Sequence, residues 1–328
     1  MQRRTFLRLL GGSMATWPLS ANAQQAETTR RIGVLMETSA NDAEAQSLLR
    51  ITRQRLEELG WTEGRNIRLE DRWAAGNSNR LRAYANELVQ LKPDVLVGEG
   101  TPVVAALQQT TRTIPIVFVN ANNPIASGFV ESIARPGNNI TGFVSFEPQM
   151  GGKWLQMLKE IAPDIARVAL LHNPQTHTGQ HFPSIDAASA ALAVKTTRVP
   201  FSEAANIEIS LGDFAREPQG GLLVLPDNST NLHRDLICAL AARYRLPAIY
   251  PFRRFVSSGG LAYYGADTND MYQKLAGYID RVLRGVNPAD LPVQTPTKFE
   301  LVVNLRVAKA LNLTIPPTFL AHADEVIE

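Results

Sequence analysis

Short runs of β-branched and other apolar residues alternate along this chain with longer stretches in which apolar positions recur at helical spacing. Residues 32–36 read as a strand buried on both faces, followed by a helix over 42–60. A strand over 67–72 precedes a helix over 79–91, and a third strand covers 94–97. Thr101 is expected as the N-cap of the next helix, with Pro102 at its first position. A fourth strand over 114–119, a short helix over 127–133 and a fifth strand over 140–144 complete a first set. The pattern then restarts with helix 151–161, strand 168–171, helix 184–193, strand 196–199, helix 203–214, strand 221–225 and helix 232–244. Strands over 247–250 and 261–264 follow, then a helix over 270–283, a strand over 299–303 and a helix over 305–311. Near-continuous apolar strands separated by helices need a parallel sheet covered on both faces. The fold expected is therefore α/β, with two doubly wound parallel-sheet halves, five strands before Phe146 and five after it.

The first residues stand outside that pattern. Arg3, Arg4 and Arg8 precede a mostly apolar stretch, and Ala21-Asn22-Ala23 has the form of a cleavage site before Gln24. Residues 1–23 are expected to be a signal peptide, and Arg3-Arg4-Thr5-Phe6-Leu7-Arg8 resembles the twin-arginine export motif; an ordinary secretory leader is the alternative. The export expected is to the periplasm. The 328 residues carry 33 basic and 31 acidic side chains, a net +2, and the leader accounts for three Arg and no acid. The remainder carries 30 basic against 31 acidic groups, which gives no electrostatic case for a nucleic-acid partner. No internal apolar run is long enough to span a bilayer.

Open parallel sheets bind ligands beyond the carboxyl ends of their strands. In the first half those tips are Glu37-Thr38-Ser39, Gly98-Glu99-Gly100-Thr101 and Asn120-Ala121-Asn122-Asn123. In the second they are His172-Asn173, Asp227-Asn228 and Tyr263-Tyr264-Gly265. Each such Thr, Asn or Asp serves equally well as a helix cap, but as a set they describe a polar cleft. Phosphate-loop, dinucleotide, zinc-protease and nucleophile-elbow motifs are absent, so no cofactor is expected. His177 and His181 have a ligand-like spacing, but Gly179 and Pro183 interrupt a helix there, and no metal is expected. Cys238 lies in an apolar stretch and reads as a core thiol. The adjacent acids Glu70-Asp71 and Asp324-Glu325 read as solvated surface.

Four segments carry a family resemblance: Ile114-Pro115-Ile116-Val117-Phe118, Arg135-Pro136-Gly137-Asn138-Asn139-Ile140-Thr141-Gly142, Gly259-Gly260-Leu261-Ala262-Tyr263-Tyr264-Gly265 and Asn304-Leu305-Arg306-Val307-Ala308-Lys309-Ala310-Leu311, with Ala323-Asp324-Glu325-Val326-Ile327-Glu328 closing the chain. Over nearly all of the chain after the leader, they resemble the substrate-binding proteins of bacterial ABC importers, in the branch with tryptophan- and tyrosine-binding members. The resemblance implies a type I periplasmic-binding-protein fold with three interlobe crossings, near 144–146, Asp267 and Lys298. Lobe 1 would comprise 28–144 and 268–297, and lobe 2 residues 145–267 and 298–328. It implies a monomeric, non-enzymatic protein that closes on a small solute, an amino acid or aromatic carboxylate, and delivers it to a membrane permease. The implied ligand shell is Thr38, Ser39, Gly100, Thr101, Asn120, Asn122, Phe146, Asn173, Asp227 and Tyr264. First-lobe hydroxyls and amides would receive a carboxylate, Asp227 a cation, and Phe146 and Tyr264 an apolar or aromatic portion. Where the family usually has Asp before Pro, this chain has Asn123-Pro124, which removes a charge that would meet an α-ammonium group. The alternatives are a sensor subunit presenting the same cleft to a signalling receptor, and a secreted hydrolase dependent on Asp227 or His172.

Overall fold

A computed structural model describes residues 29–177 and 179–328; the expected leader lies outside the described residues. The first half comprises β1 (Arg30–Met36), α1 (Ala43–Glu58), β2 (Ile67–Trp73), α2 (Ser78–Gln90), β3 (Val95–Glu99), α3 (Thr101–Thr110), β4 (Ile116–Val119) and β5 (Ile140–Phe143). These strands form one parallel sheet in the order β2-β1-β3-β4-β5. Side chains alternate across it as a strand period of two requires. Val34, Met36 and Val97 pack on one face with α1, while Leu35, Leu96 and Phe118 pack on the other with α2 and α3.

The second half comprises α4 (Met150–Ile161), β6 (Arg167–His172), α5 (Phe182–Ala191), β7 (Lys195–Pro200), α6 (Ala204–Phe214), β8 (Gly220–Val224), α7 (Asn228–Leu232), α8 (Arg234–Arg243), β9 (Ala248–Tyr250), α9 (Arg254–Ser257) and β10 (Ala262–Ala266). After it come α10 (Thr268–Leu283), β11 (Phe299–Asn304), α11 (Leu305–Ala310), α12 (Pro317–Leu320) and β12 (Glu325–Ile327). The second sheet runs β12-β11-β10-β9-β8-β6-β7, so its first five strands in chain order repeat the arrangement of the first sheet. β11 is the exception to the expected parallel sheet: it pairs antiparallel with β10, because the chain returns to this lobe alongside the strand by which it left.

Three strands of chain join the lobes side by side. Val144 N–H donates to Gln294 O at 3.0 Å, and Asp267 N–H donates to Lys298 O at 3.0 Å. Between its two crossings the chain supplies α10 to the first lobe. Met271, Tyr272, Leu275 and Ile279 enter the core beneath α1, Thr52 Oγ1 donates to Tyr272 O at 3.2 Å, and Trp61 Nε1 donates to Asp280 Oδ1 at 2.8 Å.

Local chemistry explains where expectation and structure differ. Residues 127–133 form turns rather than a helix: Gly128 has φ +70°, and Phe129 and Val130 turn inward beneath α3 with their N–H groups on Pro124 O. Thr101 is the first residue of α3 rather than its cap, because Gly100 occupies the cap position at φ +92° and ψ 154°. The stretch read as a helix over 232–244 is split into α7 and α8 at His233. Asp324 and Glu325 are exposed, as expected, and each also has a partner: Asp324 accepts from Leu301 N at 2.8 Å, and Glu325 pairs with Arg253 as β12 docks on β11. Glu70-Asp71 is half-buried and paired, Asp71 with Arg53 and Glu70 with Arg68 at 2.6 Å. Among the described residues no helix is long and apolar enough to cross a membrane.

Candidate functional site

Helices α1 and α3 leave neighbouring strands β1 and β3 toward opposite faces of the first sheet. That divergence opens a crevice at the strands' carboxyl ends, the position at which doubly wound sheets hold ligands. Glu37 and Thr38 follow β1, and Glu99, Gly100 and Thr101 end β3 or begin α3. In the second lobe the equivalent divergence lies between β6 and β8, with Asp227 and Asn228 just past β8. The two crevices face each other and the lobes touch there. Asn228 Nδ2 donates to Glu37 Oε2 and rests against Gly100, and Asn122 Nδ2 donates to Pro226 O at 3.3 Å. On one flank, Arg254 lies 3.7 Å from Asp42 and 3.6 Å from Glu44, and Arg234 lies 3.6 Å from Asp42.

The first-lobe tip is a connected polar layer. Thr38 Oγ1 approaches Glu99 Oε2 at 3.5 Å, and Ser145 Oγ donates to Asn120 Oδ1. Thr101 Oγ1 accepts from Asn122 N at 2.9 Å, fixing the loop after β4 against the start of α3. Glu37 and Glu99 are 8% and 4% exposed. Burial pushes the Glu37 carboxyl up to about 8, opposed by the Asn228 hydrogen bond and reinforced by Glu99 and Asp227. Burial also raises Glu99, against the pull of Arg254. Burial works to lower Arg254, but Glu44, Glu99 and Asp42 more than offset it and keep the guanidinium charged.

Of the ten residues singled out in the sequence, the structure gathers Thr38, Gly100, Thr101, Asn120, Asn122 and Asp227 at this meeting point. Asp227 is also the N-cap of α7, its Oδ1 accepting from Ser229 N at 2.7 Å. Ser39 and Asn173 hold turns: Ser39 Oγ accepts from Asn41 N at 3.3 Å, and Asn173 Oδ1 accepts from Gln175 N at 2.9 Å. Phe146 packs edge-on against Phe252 at 5.3 Å. It also lines a groove of about 440 Å³ with Asn123, Ile125, Val144, Gln149 and Gln180, within the size range of small-molecule sites. Tyr264 stands apart, its ring stacked on Phe299 at 5.8 Å and its carbonyl accepting from Trp154 Nε1. A larger concavity, about 770 Å³ between α1 and α10, contains none of the strand tips.

Glu37, Glu99, Asn228 and Arg254 belong to the interlobe layer and were not singled out as ligand residues. The only signal was position, since Glu37, Glu99 and Asn228 lie within the strand-tip segments. His177 Nε2 and His181 Nδ1 are 3.2 Å apart, and burial lowers the two imidazoles to about 4 and about 3, so both are neutral at physiological pH. Among the described residues no group of three His, Cys, Asp or Glu is placed to hold a metal. Cys238 is a core thiol whose Sγ faces Phe255 O at 3.4 Å, and burial pushes it up to about 12.

Comparisons with known proteins agree with this architecture. The chain is 24% identical over 262 residues to a tyrosine-binding protein of Clostridioides difficile (strain R20291), covering 79% of this chain and 74% of that protein. A conserved domain protein from Vibrio cholerae superposes with a TM-score of 0.81 at 26% identity, over 91% of this chain and 100% of that one. An ABC domain in complex with L-Trp from Streptococcus pneumonia superposes with a TM-score of 0.84 at 21% identity, over 92% and 100%. The family model for ABC transporter substrate binding protein matches residues 32–327, nearly every described residue, and the chain therefore belongs to that family of non-enzymatic solute-binding proteins.

Proposed function

We propose that this protein is the periplasmic solute-binding component of an ABC-type import system, exported by the leader at residues 1–23 and monomeric in solution. The lobes are 28–144 with 268–297, and 145–267 with 298–328; they close on a small solute at the facing strand tips and present the closed form to a membrane permease. The observation that carries this reading is the apposition of the two crevices, with Asn122 and Asn228 reaching from one lobe to the other. Thr38, Gly100, Thr101, Asn120, Asn122 and Asp227 would contact the solute's polar end. Phe146 and the groove beside it would take an apolar or aromatic portion, Ser39 and Asn173 would rim the cleft, and Tyr264 would act from behind it. The relatives' tyrosine and tryptophan support a ligand of amino-acid size with an aromatic frame. Thermal-shift screening of purified protein against a metabolite library, with native mass spectrometry of protein fresh from its host, tests the reading. A stoichiometric solute of a few hundred daltons is expected, and no stabilising or co-purifying solute would contradict it.

A further inference from the structure

The concavity of about 770 Å³ between α1 and α10 is walled by two helix faces and floored by the root of the hinge. Ile51, Arg55 and Glu58 recur at helical spacing along α1. Lys274, Gly277, Tyr278 and Arg281 do the same along α10. Phe143, at the end of β5, lies with its ring 4.8 Å from that of Tyr278, and Gln294 Nε2 donates to Tyr278 Oη at 2.9 Å. The volume is that of a small-molecule site. Two features of the α10 wall answer no need of the fold. Gly277 stands in the interior of α10, where glycine costs about 1 kcal/mol relative to alanine. Its φ is not positive, and a Cβ there would meet nothing within 4 Å, so neither the backbone nor a close neighbour calls for glycine. What the missing side chain does is keep the concavity open. The second feature is charge. Arg55 pairs with Glu58 at 2.7 Å, and Lys274 shares Asp270 with Lys298, at 2.6 and 3.0 Å. Arg281 has no carboxylate within 4.0 Å among the described residues, and its guanidinium lies 5.8 Å from the centre of the Tyr278 ring.

We propose that this concavity is a second small-molecule site, outside the interlobe cleft, for an organic anion with a planar apolar portion. The planar portion lies over Ile51, Phe143 and Tyr278, in the space that Gly277 leaves. The anionic group, a carboxylate or a phosphate, meets Arg281, whose planar fork of donors suits either. An ammonium in the same place would face an uncompensated guanidinium, and like charges repel. The site does not depend on the solute read for the cleft, since its lining includes no residue between 145 and 267 and none of the facing strand tips. It does touch the hinge. Gln294 N donates to Gly142 O at 2.9 Å and Gln294 O accepts from Val144 N at 3.0 Å, so the occupant rests on the backbone pairing where the chain leaves the first lobe.

The test is calorimetry with 2-naphthoate, 2-naphthyl phosphate, 2-naphthamide and 2-naphthylmethylamine, with hydrogen–deuterium exchange to locate the bound probe. The anions should bind in preference to the amide and the ammonium, and the tighter of the two identifies the acid group. Exchange should slow at 51–58, 273–281 and 292–294 and stay unchanged at 99–101 and 227–231. R281Q should weaken anion binding roughly three- to tenfold, as loss of a charge-assisted hydrogen bond at a half-open site requires. G277L should abolish binding while melting at or above the wild-type temperature, because it fills the concavity and removes a glycine from a helix interior. Failure of both anions to bind, equal binding of the amide or the ammonium, or R281Q or G277L binding like wild type would overturn the site. Anion-dependent protection at the strand tips instead of the concavity would also overturn it, while leaving the interlobe cleft in place.

Discussion

Replacing Arg254 with Met should open the closed form without unfolding either lobe. Arg254 stands on α9 of the second lobe, and its side chain is 7% exposed because Asp42 and Glu44 at the start of α1 cover it from the first. At the separations of 3.7 and 3.6 Å, each contact is worth about 4 kcal/mol gross at an effective dielectric of about 20. Desolvation of the guanidinium opposes this, and removing one partner of a buried pair typically costs about 3–5 kcal/mol because the other charge is left uncompensated. Here the residue left behind is partly relieved, since Asp42 keeps Arg234 at 3.6 Å and Glu44 is 25% exposed. The closing equilibrium should therefore fall by about 2–3 kcal/mol, or roughly 30- to 160-fold. Small-angle scattering would show R254M with a larger radius of gyration than wild type, and circular dichroism an unchanged far-UV spectrum. Methionine is a fair replacement in volume, and some buried ion pairs tolerate such a swap without loss. An R254M protein that scatters like wild type would therefore refute the clasp.

Closure in the absence of added solute should weaken as pH rises from about 4.5 to about 8. Glu37 holds its proton more tightly between the lobes than it would with its ordinary value of 4.5, so closed-form stabilisation present at low pH is lost progressively up to about 8. E37Q should flatten that dependence in scattering measured across the range. Gly100→Ala should lower the melting temperature through about 1–3 kcal/mol of backbone strain at a glycine-only conformation. It should also impair closure, because the added methyl meets Asn228 Nδ2 and stands 2.8 Å from Glu37 Oε2. Cys238 should resist Ellman's reagent in the native protein and react stoichiometrically in guanidinium, as its burial and raised thiol pKa require.

The parts of the fold legible in the sequence are those with a strong local cause. Strands such as Ile116–Val119 and Gly220–Val224 are apolar throughout or nearly so because helices cover both faces, and α1 begins within a residue of its expected start, behind the Asp42 cap. The strand tips followed from the α/β pattern itself. Features set by long-range meetings were not legible. β12 is three residues long and is stabilised by pairing with β11, so nothing local marked it as a strand. Residues 127–133 have helix-like apolar spacing, yet burial of Phe129 and Val130 under α3 wins over local propensity. Glu37 and Glu99 read as ordinary charged residues until the sheets bring their tips together and the second lobe covers them. Arg254 sits within a basic pair, Arg253-Arg254, whose members part company: Arg253 serves Glu300 and Glu325 within its own lobe, while Arg254 crosses to the other.

Hydrogen–deuterium exchange with and without the solute that most raises the melting temperature tests the central claim most directly. A solute held between the lobes should slow exchange at 37–39, 99–101 and 120–123 in the first lobe and at 227–231 in the second, with the hinge at 143–146 changing alongside them. Protection confined to one lobe, or appearing only in the concavity between α1 and α10, would contradict a solute site at the facing strand tips.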